Sequence, residues 1–171
     1  MTAVPVPNDD LVAVAAQLGR PPRGTRAVAH RCPCGLPDVV ETTPRLADGT
    51  PFPTLFYLTC PRAVAACSRL ESAGLMREMA ARLEADPELA ARYRAAHEDY
   101  LARREAIAQV PEIAGTSAGG MPGRVKCLHV HLAHALAAGP GVNPLGDEVR
   151  ERTEPWWTGG QCVDPATAES R

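Results

Sequence analysis

The chain has 171 residues with 18 basic and 20 acidic side chains, a formal charge of −2. That length fits one domain able to bury roughly two thirds of the surface its unfolded form exposes, and leaves little room for two independent cores. The near balance of charge excludes a general electrostatic basis for binding nucleic acid or anionic membrane. Aromatic residues are few, so the core must be built from small side chains in close contact.

Residues 1–10 carry neither a basic leader nor an apolar signal stretch, and no run approaches the roughly 18 apolar residues of a membrane span. The expected location is the cytoplasm. In a reducing compartment the six cysteines are expected to be thiols or metal ligands rather than a disulfide framework.

In chain order, Asp9 or Asp10 is expected to cap a first helix through Leu18, stopped by Gly19 and Pro21–Pro22. Three extended runs follow, Thr25–Cys32, Asp38–Thr43 and Thr54–Thr59, rich in β-branched and aromatic residues and separated by Pro and Gly clusters. Asp48-Gly49 marks a turn between the second and third, so the simplest sheet is an antiparallel meander.

From Pro61 the pattern is helical: Pro61–Ser72, Leu75–Ala85 and Pro87–Gln109. In the third helix Asp86 is the cap and Pro87 the first helical residue, with Leu89, Tyr93, Ala96, Tyr100 and Ile107 inward. Arg103, Arg104, His97 and Glu98 read as its solvated side. A loop over Pro111–Gly123 leads to a final helix, Arg124–Ala138, ended by Gly139-Pro140-Gly141. Asn143–Asp147 reads as a compact turn and 164–171 as a disordered tail. The fold class is therefore α+β: a small antiparallel sheet from the N-terminal third packed against a mainly helical C-terminal part, with 1–163 as a single domain.

The densest chemical signal is Cys127 followed by His129, His131 and His134. On a helix spanning this segment Cys127, His131 and His134 share one face and His129 points away, a thiolate and two imidazoles suited to zinc. Core histidines that merely satisfy hydrogen bonds are the competing reading. Cys32-Pro33-Cys34-Gly35 places two thiols at a turn, as ligands or a redox pair. Cys60 precedes Pro61 at a helix start, where amides and the dipole favour a thiolate. Cys67 reads as core and Cys162 as incidental. Gly119-Gly120 before Arg124 and Lys126 can form an anion site, although two solvated cations explain those residues as well. Asp48, Asp147 and Glu148 are explained by turn and cap roles.

The motifs Cys32-Pro33-Cys34-Gly35, Asp48 through Pro61, Gly119-Gly120-Met121-Pro122, Val125 through His129 and Asn143 through Asp147 together resemble the bacterial domain of unknown function numbered 501, over about Asp10 to Glu148. The resemblance implies one cytoplasmic bacterial domain without an assigned activity or catalytic residue. Genes of that family stand near those for enolase, a septum-forming protein and an exopolyphosphatase, implying a link to cell division or phosphate metabolism. Its pattern also favours Cys32 over Cys34 as a ligand.

The leading expectation is a metal-dependent protein in which Cys32, Cys60, Cys127, His131 and His134 hold zinc or an iron or iron–sulfur centre. Arg124 and Lys126 would bind an anionic small molecule, and a hydrolytic reaction would use metal-activated water. The alternatives are a metal-free thiol enzyme using Cys60 or Cys127, and a scaffold that binds a protein partner through Trp156 and Trp157.

Overall fold

The computed structural model describes residues 5–170, with side chains to Thr167. Three strands form one antiparallel meander in the order β1 (Thr25–Arg31), β2 (Pro37–Thr42) and β3 (Phe56–Leu58). Val28 lies opposite Val40, and Val39 opposite Leu58, so apolar residues meet across both ladders. Gly49 takes a positive φ of 86° in the turn before β3, where a Cβ would be strained, and Asp48 Oδ1 accepts from Thr50 N–H.

The first helix, α1 (Asn8–Leu18), starts at Pro7 rather than at an aspartate cap. Asp10 lies inside its first turn and holds Arg31 through both carboxylate oxygens, at 2.9 and 2.8 Å. Gly19 closes the helix in the left-handed conformation, as its sequence position implied.

Helices α2 (Pro61–Ser72), α3 (Leu75–Ala85) and α4 (Pro87–Glu105) follow the proline, glycine and aspartate signals that bound them. Asp86 accepts from the N–H groups of Glu88 and Leu89, two donors a helix start otherwise leaves unpaired. Tyr93, Ala96 and Tyr100 form the buried stripe of α4. The Tyr100 hydroxyl accepts from Leu55 N–H at 2.6 Å, and its ring meets Phe56 edge-on, which fastens the third strand to the helical layer.

Three expectations are corrected here. Arg104 is buried, not solvated: its guanidinium donates to the carbonyls of Pro53 and Ile113 at 2.9 and 2.7 Å, replacing water with two backbone acceptors. The helix over residues 124–138 begins later, as α5 (Leu128–Ala138), because Cys127 is extended at φ −155° and the preceding amides turn back to Gly119 and Gly120. It is also not the last helix, since Asn143–Asp147 opens α6 (Pro144–Thr153), with the Asn143 side chain accepting from Gly146 N–H.

Helices α5 and α6 approach so closely that a Cβ on Gly146 would lie 2.2 Å from the His131 carbonyl oxygen. The core runs between the sheet and these helices through Val39, Phe56, Leu58, Leu128, Leu132 and Leu145. Trp156 is buried against that core and meets Trp157 edge-on, which removes it from any exposed partner surface. Residues 165–170 form 3-10 turns near α1, and Arg171, the end of the segment read as a disordered tail, lies outside the described residues. Among the described residues no helix is long and apolar enough to cross a membrane.

Candidate metal centre

The late start of α5 changes which groups meet. Cys127 stands at its N-cap and His129 in its first turn, so Cys127 Sγ lies 3.6 Å from His129 Nδ1 rather than on a face shared with His131. Opposite them is α2, where Val64, Ser68 and Glu71 fall at helical spacings of four and three and so form one stripe. Glu71 Oε1 accepts from Leu128 N–H at 2.9 Å and lies 3.1 Å from His129 Nδ1. The carboxylate thus caps α5 from outside its own sequence.

The other ring nitrogen, His129 Nε2, lies 3.2 Å from the Val64 carbonyl and 3.3 Å from Ser68 Oγ. Carbonyl and carboxylate oxygens can only accept, so in the metal-free protein Nε2 donates to Val64 O and Nδ1 donates to Glu71, and ligation through Nδ1 would release that second proton. One donor atom each from Glu71, Cys127 and His129 lie within 4.8 Å of one another, and among the described residues this is the only such group of three. The His129 and Glu71 side chains are each 24% exposed, so the cluster reaches the surface.

The site tunes its own groups. Burial, the largest single effect on Cys127, raises its thiol, but the His129 hydrogen bond, the Val130 amide and the His129 charge outweigh it and the net shift is downward. His129 moves up, chiefly through its hydrogen bond to Cys127, against burial and with help from Glu71. Cys67, one helical turn before Glu71, is buried and pushed up to about 12, by burial first and then by the charges of Glu71 and Cys127. The core role expected for Cys67 holds.

His131 and His134 are placed elsewhere, in a closed polar network inside the core. The Asn143 side-chain oxygen takes the Gly146 amide, which directs its NH2 group at Nδ1 of both rings, each at 3.2 Å. Both Nδ1 atoms are therefore acceptors, and both rings carry their proton on Nε2. His131 Nε2 faces the Tyr93 hydroxyl and the Gly119 carbonyl, and His134 Nε2 donates to Asp99 at 2.9 Å. Every ring nitrogen has a partner, which leaves no free lone pair for a metal. Burial, the leading effect, lowers both histidines, His131 to about 4. His97 is partly exposed on α4, with its Nδ1 2.7 Å from the oxygen of the buried Ser117.

The remaining thiols fall into two other places. Cys32 is buried and pushed up to about 12, mainly by burial. Cys60 is buried at the N-cap of α2. The fold thus does not gather Cys32, Cys60, Cys127, His131 and His134 into one ligand set. Arg124 and Lys126 are exposed on the segment leading into Cys127, and among the described residues neither forms an ion pair.

Glu71 and His129 are the two members of this cluster that the sequence left unassigned. The Val64–Ser68–Glu71 stripe was readable, but nothing local tied it to a helix start more than fifty residues away. Comparison with known proteins agrees with the motif resemblance. The model of a family described as a protein of unknown function (DUF501) matches residues 28–151, and the chain belongs to that family. No curated protein and no solved structure matches the chain.

Proposed function

We propose that this protein binds one zinc-type divalent ion between Cys127 Sγ, His129 Nδ1 and a Glu71 carboxylate oxygen, with a further coordination position open to solvent or substrate. The observation that carries the reading is the convergence of three different donor atoms within 4.8 Å at a partly exposed surface. A ligating imidazole typically donates its second nitrogen to a carbonyl, and His129 has Val64 O in that role. In a thiol–imidazole catalytic pair the orienting carboxylate would sit on the far ring nitrogen. Here Glu71 shares the near nitrogen with the thiol, the arrangement of ligands around a common centre.

One sulfur with one nitrogen and one oxygen suits zinc better than an iron–sulfur cluster, which takes its ligands mainly as thiolates. Three protein ligands leave room for Lewis-acid chemistry, and metal-assisted hydrolysis of an anionic small molecule is the reaction class that fits. Lys126, next to Cys127 in the chain, and Arg124 are the cations available to the anion.

The metal-free thiol enzyme is the second reading. Cys127 supports it by standing at the N-terminus of α5 with its sulfur 3.6 Å from His129 Nδ1.

Competition titration of chelator-treated protein with zinc and a chromogenic ligand separates the two. The metal reading expects one ion per chain, weakened by Glu71→Gln, His129→Gln and Cys127→Ser but not by Cys32→Ser. Absence of binding, together with rapid alkylation of Cys127 that zinc does not slow, would replace it with the thiol enzyme.

A further inference from the structure

The chain's two Phe, three Tyr and two Trp divide into two sets. Phe56, Tyr93, Tyr100, Trp156 and Trp157 belong to the core between the sheet and the helices, whereas Phe52 and Tyr57 lie outside it and are only half-buried. Successive side chains of a strand point to opposite faces. Val39, Phe56 and Leu58 therefore face the helical core, while Val40 and Tyr57, paired across the ladder, face away from it. The first helix ends at Leu18, and beyond that point the second face borders a cavity of about 240 Å³ with apolar walls of Leu18, Val40, Leu46, Phe52 and Tyr57.

Polar groups stand in the same wall. Thr25 Oγ1 is buried without a hydrogen-bond partner among the described residues, while Thr42, opposite it in the ladder, gives its hydroxyl to the carbonyls of Thr54 and Leu55. A buried hydroxyl left unpaired is costly, and an oxygen acceptor entering the cavity would satisfy it. The charged residues of the wall are both arginines. Arg20 is exposed and forms no ion pair among the described residues. Arg23 meets Asp48 at 2.7 Å, but both side chains are more than half exposed, so the pair holds it weakly. The wall itself is fixed: Thr43 N–H donates to the Gly24 carbonyl and Phe52 N–H to the Pro44 carbonyl, each at 2.8 Å, which lowers the cost of ordering a site.

We propose that this cavity binds a small planar aromatic anion, an aryl carboxylate, with its ring against Phe52 and Tyr57 and its carboxylate held by Arg20, Arg23 and the Thr25 hydroxyl. Volume sets the size of the ligand. A cavity of roughly 150 Å³ takes one benzene ring, so this one admits about ten ring atoms and excludes a dinucleotide or a peptide segment. The two rings supply the preference for an aromatic body, and the arginines the preference for a carboxylate. The cavity shares no residue with the Glu71–Cys127–His129 cluster, so this site and the metal site stand or fall separately.

The test is titration of the full, chelator-treated chain with naphthoate and with its neutral analogue naphthamide, followed through backbone amide chemical shifts. Naphthoate should give saturable shifts at Thr25, Val40, Thr42 and Tyr57 with a Kd below about 1 mM, and naphthamide should bind there about five-fold more weakly. Phe52→Ala, a change at a half-buried loop residue, should weaken both by about ten-fold. Arg20 also follows the C-terminal end of α1, where a cation offsets the helix dipole. Arg20→Gln should therefore reduce the preference for naphthoate over naphthamide while leaving naphthamide binding unchanged, which a role in the helix alone would not do. Should a variant fail to fold, the comparison of the two ligands on the wild-type chain decides. No saturable shift at these amides up to about 1 mM, equal affinity for the two ligands, or a preference untouched by Arg20→Gln would overturn the proposal.

Discussion

Glu71 Oε1 lies 3.1 Å from His129 Nδ1 while accepting from Leu128 N–H at 2.9 Å, so one carboxylate oxygen both caps α5 and faces the first imidazole on it. The double role makes a divided prediction. Glu71→Gln keeps an amide oxygen for Leu128 and should cost under about 1 kcal/mol of stability, yet weaken zinc binding by about 100-fold or more. Glu71→Ala should lose both. Denaturant unfolding of the metal-free variants, alongside zinc titration of the same samples, separates cap from ligand.

The buried histidines set an acid limit on the fold. His131 is lowered to about 4 by burial, against an ordinary value near 6.5. Between those two pH values the unfolded chain takes up a proton that the folded chain refuses. The contribution of neutral His131 is therefore whole above about pH 6.5 and is lost as pH falls toward 4, for a total of about 3 kcal/mol. His134, shifted the same way, adds to the slope. Unfolding free energies measured with chelator present should fall across this window, and His131→Gln should flatten the fall even where it lowers the starting stability. An unchanged slope in that variant would show that His131 does not titrate as its burial requires.

What was legible in the sequence was local. Pro61, Asp86-Pro87 and Gly139 mark helix ends because each acts within a turn of its own position, and the sheet order follows from short connections between β-branched runs. The start of α5 was not legible. No proline or glycine stands between Arg124 and Leu128, and the chain leaves helical conformation there because Arg124 and Lys126 give their amides to Gly120 and Gly119. That displacement of four residues moved Cys127 from the histidines at 131 and 134 to the one at 129. Asn143 was likewise read as a turn residue, since its side chain's role depends on two imidazoles brought beside it by packing.

Arg104 gives a stability prediction of the same kind. Its guanidinium is almost fully buried and donates to Pro53 and Ile113 carbonyls, joining α4 to the segment before β3 and to the turn after it. Arg104→Met fills similar space but leaves both carbonyls unpaired, at a cost of about 3 kcal/mol. Thermal unfolding should show that loss, with zinc stoichiometry unchanged.

Gly146 reports on the α5–α6 contact. The Cβ of an alanine there would meet the His131 carbonyl oxygen at 2.2 Å and Ala135 Cβ at 2.8 Å, so backbone must move. Gly146→Ala should cost about 3 kcal/mol, near the upper end for overpacking, and lower Tm by about 6–12 °C. Retention of wild-type Tm would mean that the two helices do not approach as closely as described.

The proposed site holds one zinc-type ion among one sulfur and lighter ligands. X-ray absorption at the zinc edge, on protein loaded with one equivalent, reads that ligand set directly. The expected spectrum has a single sulfur at about 2.3 Å with nitrogen and oxygen near about 2.0–2.2 Å, and loses the sulfur shell in Cys127→Ser. Two or more sulfurs per zinc, or a sulfur shell that survives that substitution, would place the metal on other cysteines and contradict it.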